Sequence, residues 1–390
     1  MNIAGTSMTT RMPSLSAAFV LLLCGMQATT AEDGWAKPFS EARYQPYRTP
    51  GMFMNDFRFV KVGDTTYAFF LQIPRCVGED RIWGDGRSYG VARSKNLLEW
   101  ENFSVAACPG RRHWADRAIH SGSAVYDPGR RICFLFYTGV GSVKNGVGLA
   151  RSADMERWTM DADVLIEYPD RWAPDARRRA QFAAAEGKRL EFLPGGDPYV
   201  YPERVDGSYW MFVQSQVVYD RDDHEDGALL LYRSAALDHG WEFDRIVFAP
   251  SIYERYEVPF VWKHGDRFLL YVGGVFADLK NVPADYLAKL RTIDPWITDE
   301  KKPRQSVNLL FESATIRGPW KPVAGGPLVK HPDHPWSPHF YVWNVLPGPD
   351  GRDYMLGWSG DTLGKPYPVG YGGDGSVTLG QPIDRWQAPE

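Results

Sequence analysis

The sequence predicts an all-β fold, a five-bladed β-propeller with short helical insertions, and three observations carry that expectation. The first is a repeat. Arg93-Ser94 to Trp100, Arg151-Ser152 to Trp158, Arg233-Ser234 to Trp241 and Glu312-Ser313 to Trp320 share one pattern, with Ser-to-Trp offsets of 6, 6, 7 and 7. Recurrence at near-fixed spacing marks a repeat architecture rather than a sandwich. The second is an aromatic-rich strand run ahead of each: Tyr67-Ala68-Phe69-Phe70-Leu71, Cys133 to Tyr137, Tyr209-Trp210-Met211-Phe212-Val213 and Phe268-Leu269-Leu270-Tyr271-Val272, with a fifth at Tyr354-Met355-Leu356-Gly357-Trp358. The third is composition: 14% aromatic residues, 38 Gly and 29 Pro suit short strands and many turns. Five units that cannot bury their faces alone are stabilised by radial stacking. Residues 36–50 and the C-terminal segment are expected to close the ring. Residues 174–189 and 283–290 read as helical insertions.

The 390 residues are 44% hydrophobic and 24% charged, enough for a sizeable core. A net charge of −4 with dispersed Lys and Arg offers no basic stripe, so no nucleic-acid partner is expected. Residues 1–31 read as a signal peptide: Arg11 precedes an apolar segment from Leu15 to Met26 and the small-residue site Ala28-Thr29-Thr30-Ala31. The expectation is a periplasmic or secreted protein, free of the membrane after cleavage, with residues 32–390 as its propeller domain. Three cysteines then remain. Cys133 reads as a buried thiol, and Cys76 and Cys108 are expected to pair.

In a propeller blade the chain runs through four strands from the axis outward, so the starts of the inner strands converge on one mouth of the central channel. Those starts read as Asn55-Asp56-Phe57, His120-Ser121-Gly122-Ser123, Asp197-Pro198-Tyr199, Glu257-Val258-Pro259 and His339-Phe340-Tyr341. Three of the five carry a carboxylate, at positions read as equivalent. An acid before a strand is commonly a turn residue. Turn acids would scatter, however, whereas Asp56, Asp197 and Glu257 face one axis, where crowding like charges is costly unless they serve chemistry. Glycosidic cleavage needs such a set: an acid for the leaving oxygen, and a carboxylate to attack the anomeric carbon or to activate water. His120 and His339 begin the two strands without acids and are expected to face substrate. No phosphate loop, zinc spacing or dinucleotide fingerprint is present, so neither metal nor cofactor is expected.

At these residues the chain resembles glycoside hydrolase family 32, the β-fructofuranosidases, and more distantly family 43. Met54-Asn55-Asp56 is similar to the start of the family's Met-Asn-Asp-Pro-Asn-Gly motif, which implies Asp56 as nucleophile. Gly196-Asp197-Pro198 resembles Arg-Asp-Pro, implying Asp197 as transition-state stabiliser, and Glu257-Val258-Pro259 resembles Glu-Cys-Pro, implying Glu257 as acid/base. Phe70-Leu71-Gln72-Ile73-Pro74, Trp83-Gly84 and His120-Ser121-Gly122-Ser123-Ala124 are similar to further family segments. The resemblance implies Asn55, Gln72, Trp83 and Ser121 as substrate-binding residues. The chain departs from the family where Phe57-Arg58-Phe59 replaces Pro-Asn-Gly and where Gly196 replaces an arginine. The implied activity is retaining hydrolysis of furanosides in an oligo- or polysaccharide. The alternatives are an inverting arabinofuranosidase or xylosidase and a carbohydrate-binding propeller without catalysis.

Overall fold

Each aromatic-rich run becomes the second strand of a sheet, where both faces are covered by neighbouring sheets and the run is apolar throughout. The computed structural model describes residues 41–78, 84–168, 190–193, 196–219, 225–276, 280, 282, 284–294, 297–298, 306–329 and 340–386. The first blade comprises β1 (Met52–Val62), β2 (Thr65–Pro74), β3 (Ser88–Ser94) and β4 (Glu101–Ala107). The second comprises β5 (Ala118–Asp127), β6 (Ile132–Val140), β7 (Asn145–Ser152) and β8 (Thr159–Met160), with β9 (Ile166–Glu167) on β7. In the third, β10 (Leu190–Leu193) and β11 (Tyr199–Val200) both flank β12 (Tyr209–Tyr219), followed by β13 (Glu225–Ser234) and β14 (Glu242–Phe248). The fourth holds β15 (Arg255–His264), β16 (Arg267–Val275), β17 (Ser306–Ser313) and β18 (Lys321–Pro322). The fifth holds β19 (Phe340–Pro347), β20 (Asp353–Ser359), β21 (Thr362–Leu363), β22 (Tyr367–Tyr371) and β23 (Val377–Leu379). Every pairing between these named strands is antiparallel. The inner strands touch in the cyclic order β1, β5, β11, β15, β19 and back to β1, which makes the fold a five-bladed β-propeller.

The Ser-to-Trp repeat has two physical jobs. The serine hydroxyl accepts backbone N–H groups just after the third strand, at 2.8 Å from Leu97 to Ser94, 3.3 Å from Asp154 to Ser152, 3.0 Å from Ala236 to Ser234 and 3.2 Å from Thr315 to Ser313. The indole N–H then closes the turn, Trp100 on Leu97 O, Trp158 on Met155 O and Trp241 on Leu237 O. The ring itself packs edge-on against a phenylalanine of the preceding blade: Trp158 on Phe69 at 5.6 Å, Trp241 on Phe136 at 6.0 Å and Trp320 on Phe212 at 6.2 Å. The repeat therefore both turns the chain and fills the seam between blades.

The ring closes as expected, by the two ends of the described chain. Tyr47 bridges Leu363, Arg43 bridges Arg385, and the Trp386 indole donates to Asn96 O across the seam between the fifth and first blades. One α-helix occurs among the described residues, α1 (Ala284–Ile293), inserted in the fourth blade where an insertion at 283–290 was expected. It buries Tyr286 and Leu290 against the core shared by the third and fourth blades. The expected helix at 174–189 and the expected signal peptide at 1–31 lie outside the described residues. No helix of the described residues is long and apolar enough to cross a membrane.

The expected bond between Cys76 and Cys108 is not formed. Both are thiols, Cys76 exposed and Cys108 half-buried. The reason is strand order: β3 lies between β2, which Cys76 follows, and β4, which Cys108 follows. Two strand spacings amount to about 9–10 Å, beyond the roughly 7 Å reach of a disulfide. Cys133 is buried in β6, where burial pushes its thiol far above the usual range.

Two outcomes are expected of this fold. A chain lacking residues 1–31, unfolded without reductant, will titrate three thiols with a disulfide-exchange reagent; a count of one would restore the bond. Trp241→Ala will cost about 2–4 kcal/mol in urea unfolding, because it opens a seam and removes the turn-closing donor. A loss below ~1 kcal/mol would show that the seam is not sealed by this ring.

Candidate active site

The inner strands do not run straight through the channel. β1 slips register between Asn55 and Arg58, β5 between His120 and Gly122, β15 between Glu257 and Phe260, and β19 between Tyr341 and Asn344. A bulge repeated at one level of four of the five blades turns side chains toward the axis and strips backbone N–H groups of ladder partners. The bulges of β1, β15 and β19 also place residues in the left-handed region, Asp56 at φ 54°, Val258 at 48° and Val342 at 57°, and Asp197 ahead of β11 is left-handed too, at 54°. Asp tolerates this conformation, whereas valine is strained by it, a cost of about 1–3 kcal/mol that surrounding contacts must over-determine. Gly122 is required at the second bulge, since a Cβ would stand 1.9 Å from Phe136 O.

The acids are accordingly not at three equivalent positions: Asp197 stands ahead of β11 as expected, whereas Asp56 and Glu257 lie within β1 and β15 rather than at their starts. Asp56 occupies the left-handed residue of the β1 bulge, Asp197 is left-handed just ahead of β11, and Glu257 stands one residue before the left-handed Val258, level with Asn55 and Tyr341. A bulge adds a residue that no sequence spacing reveals.

The freed N–H groups knit the site together. Val258 N–H donates to Asp197 Oδ2 at 3.0 Å, fastening the Asp197 carboxylate beside Glu257. Val342 N–H donates to the Tyr271 hydroxyl at 3.0 Å, and Gly122 N–H to the Tyr89 hydroxyl at 2.9 Å. Asp197 N–H is held by Thr138 Oγ1 at 2.9 Å. The Ser121 hydroxyl donates to Asp56 Oδ2 and orients that carboxylate.

The electrostatics show that the three acids meet. Burial pushes Glu257 up to about 7, and the charges of Asp197 and Asp56 add to the shift against Arg255 and the Tyr341 hydroxyl, which donates to Glu257 Oε2 at 3.3 Å. Asp197 is raised to about 6, again by burial first and Asp56 second, opposed by Val258 N–H, Arg58 and Arg87. A deprotonated Glu257 would be a third negative charge in a cleft that already holds two.

Of the residues expected to bind substrate, Asn55 and Ser121 are buried beside Asp56, being 1% and 4% exposed. Gln72 is buried at the end of β2, opposite Met54 and Ser88. His120 is half-buried beside Ser121, with Nδ1 3.4 Å from Arg87 Nη1. Trp83 and His339 lie outside the described residues. Sequence reasoning missed Arg87, Arg58 and Tyr341. Arg58 had a signal, since it stands where the resembled motif has another residue. Tyr341 stood among the inner-strand starts but was given no role, and Arg87 had no signal, because only the lateral pairing of β1, β2 and β3 within the first blade brings it beside Asn55. Among the described residues, no group of three His, Cys, Asp or Glu side chains is placed to hold a metal ion.

With this geometry in hand, comparison with known proteins is specific. The family model for the glycosyl hydrolases family 32 N-terminal domain matches residues 47–266. No curated protein sequence matches the chain. Among solved structures the chain is similar to an inulosucrase from Halalkalicoccus jeotgali bound to kestose, with a TM-score of 0.61 and 16% identity over 91% of this chain and 97% of that one. It is also similar to a sucrose-6-phosphate hydrolase from Lactobacillus gasseri, with a TM-score of 0.63 and 16% identity over 88% and 64%. An exo-inulinase from Aspergillus awamori aligns with a TM-score of 0.58 and 18% identity over 91% and 69%. At such identities the solved structures speak for the propeller, and the family assignment rests on the match over 47–266. That match, with three carboxylates converging at one mouth of a five-bladed ring, places the chain in glycoside hydrolase family 32 as a glycoside hydrolase.

Proposed function

We propose that the protein is an exported furanosidase that cleaves fructofuranoside-type linkages of an oligo- or polysaccharide by a retaining double displacement. The observation that carries this reading is the raised proton affinity of Glu257, driven by burial and by Asp197 and Asp56 together. A group held near 7 keeps its proton long enough to give it to a leaving oxygen and can take one back from water. Asp56, oriented by the Ser121 hydroxyl, attacks the anomeric carbon as Glu257 protonates the departing oxygen. The ester that forms carries no charge on Asp56, so part of the push on Glu257 disappears. Glu257 is then the stronger acid, and its conjugate base accepts the proton of the water that hydrolyses the ester. Asp197, fixed through Oδ2 by Val258 N–H, is the group that holds sugar hydroxyls as positive charge develops on the ring. Export is proposed from residues 1–31, on the signal pattern alone. Fructosidic substrates are proposed from the family match and from the names of similar structures, an inulosucrase and an exo-inulinase among them.

The test of function is turnover of sucrose, inulin-type oligosaccharides and nitrophenyl furanosides, followed by proton NMR of the sugar first released. Retention of anomeric configuration is expected. First release of the inverted anomer would replace the double displacement with direct attack of water. Absence of turnover on every furanoside would remove the furanosidase reading.

The pH dependence follows from Glu257. As an acid whose affinity is raised, it is protonated below about 7 and loses its proton as pH climbs through that value. Activity should therefore fall on the alkaline side near 7. Glu257→Gln should lower kcat/KM for sucrose by roughly 10²–10⁴, the range that general acid catalysis supplies. The loss should be far smaller for a nitrophenolate leaving group, which needs no proton. An equal loss on both substrates would give Glu257 a different role.

A further inference from the structure

Arg87 stands just before β3 and is 3% exposed, a buried cation beside the site for which the hydrolytic mechanism has no use. Its peptide is stitched into the neighbouring blade, with Ile119 N–H donating to Arg87 O at 3.0 Å and Gly86 N–H to Arg117 O at 2.7 Å. Its guanidinium bridges the first two blades: Nη2 donates to Asn55 Oδ1 at 2.8 Å, and Nη1 stands 3.4 Å from His120 Nδ1.

Arginine only donates, and this settles two orientations that heavy-atom positions alone leave open. The oxygen of the Asn55 amide must face Arg87, so its Nδ2 points the other way. His120 Nδ1 must accept, so the ring proton resides on Nε2. A second observation points to a ligand. Asn55 Nδ2 is fully buried next to Asp56 and has no hydrogen-bond partner among the described residues. A buried amide donor without a partner costs about 1–3 kcal/mol, and sites built for polar ligands carry such groups. His120 is also held in the neutral form. Burial and then the Arg87 charge lower it to about 4, against a weaker pull from Asp85.

We propose that Arg87 is a positioning residue that presents Asn55 Nδ2–H and His120 Nε2–H as a fixed pair of donors to hydroxyl oxygens of the substrate sugar. The three carboxylates can only accept hydrogen bonds from sugar hydroxyls when ionised. The Arg87 pair provides the opposite polarity, so a hydroxyl held between the two sets donates to a carboxylate and accepts from Asn55 or His120. No side chain fits at Gly196 in the third blade without displacing Thr138, whose Oγ1 would stand 2.9 Å from a Cβ there. Gly196 accordingly supplies no cation, and Arg87 of the first blade acts through Asn55 and His120 instead.

The experiment is a double-mutant cycle on the full-length mature enzyme with sucrose and a nitrophenyl furanoside, using Arg87→Met, Asn55→Ala and the pair. The kinetic arm rests on the furanosidase reading. Each single variant should raise KM about tenfold, with kcat changed less. The double variant should be no more than about twofold worse than the poorer single one, since Arg87 works through Asn55. Nitrogen NMR of His120 should show the Nε2–H tautomer in the parent and its loss in Arg87→Met. Additive losses, or a KM within twofold of the parent, would overturn the proposal. If Arg87→Met does not fold, Arg87→Lys keeps the charge but cannot hold both partners at once, so an intermediate KM and a mixed tautomer are expected; parental values for both would overturn the proposal. If the parent turns over no furanoside, the functional reading fails and the NMR arm decides alone: a His120 ring without the fixed Nε2–H tautomer refutes the positioning role.

Discussion

Arg58 lies at the axis of the ring, and the arrangement of the five inner strands depends on it. It belongs to the first blade and is 2% exposed. Its guanidinium donates to Gly122 O of the second blade at 3.2 Å, to Pro259 O of the fourth at 3.0 Å and to Asn344 Oδ1 of the fifth at 3.2 Å. It also rides over the Tyr199 ring of the third blade at 5.7 Å. One side chain thus reaches all five blades. A planar fork with five donors suits this place, where a lysine could neither span the carbonyls nor stack on the ring. Asn344 completes the junction by donating to Phe57 O and Val342 O, so the carbonyls around the bulges are met from within.

The same bulges that leave carbonyls for Arg58 free the N–H groups that hold the site. Val258 N–H grips Asp197, while Val342 and Gly122 are met by Tyr271 and Tyr89. Structural and functional demands are joined at one level of the propeller. Two left-handed valines are the cost, and the buried hydroxyls that meet Val342 and Gly122 are among the compensations. The site is also electrostatically costly. Two half-buried carboxyls are pushed up by desolvation and by their like-charged neighbours, which opposes stability wherever they are ionised. Arg58 and Arg87 offset part of this for Asp197.

Away from the axis, the structure is held by repetition. Each serine caps a turn, three of the four tryptophans close it, and the rings of Trp158, Trp241 and Trp320 pack into the seam to the blade before. At the last seam the geometry of repetition runs out. There the chain uses its own ends, with residues near Tyr44 and Tyr47 meeting Leu363 and Asp384. A closed ring has no sheet edge at that seam to recruit other strands.

The sequence by itself determined the blades, their number and the acids. Blade identity is local: an apolar strand run followed by a Ser-to-Trp turn is stabilised by contacts within a few residues, so Ser94, Ser152, Ser234 and Ser313 could be read directly. Asp56, Asp197 and Glu257 were legible because each stands 11 or 12 residues before such a run. Tertiary structure alone decided how those acids are held. A bulge changes register by one residue without any mark in composition, so the offset of Glu257 from Asp56 and Asp197 could not be read. The thiol state of Cys76 and Cys108 followed from the strand between them, a matter of lateral order rather than spacing. Arg87 reaches Asn55 only through the lateral pairing of strands within the first blade, and Tyr341 reaches Glu257 only when the fifth blade packs on the fourth. Long-range polar contacts depend on where side chains end in space, and that position is fixed by packing across seams that no single segment encodes.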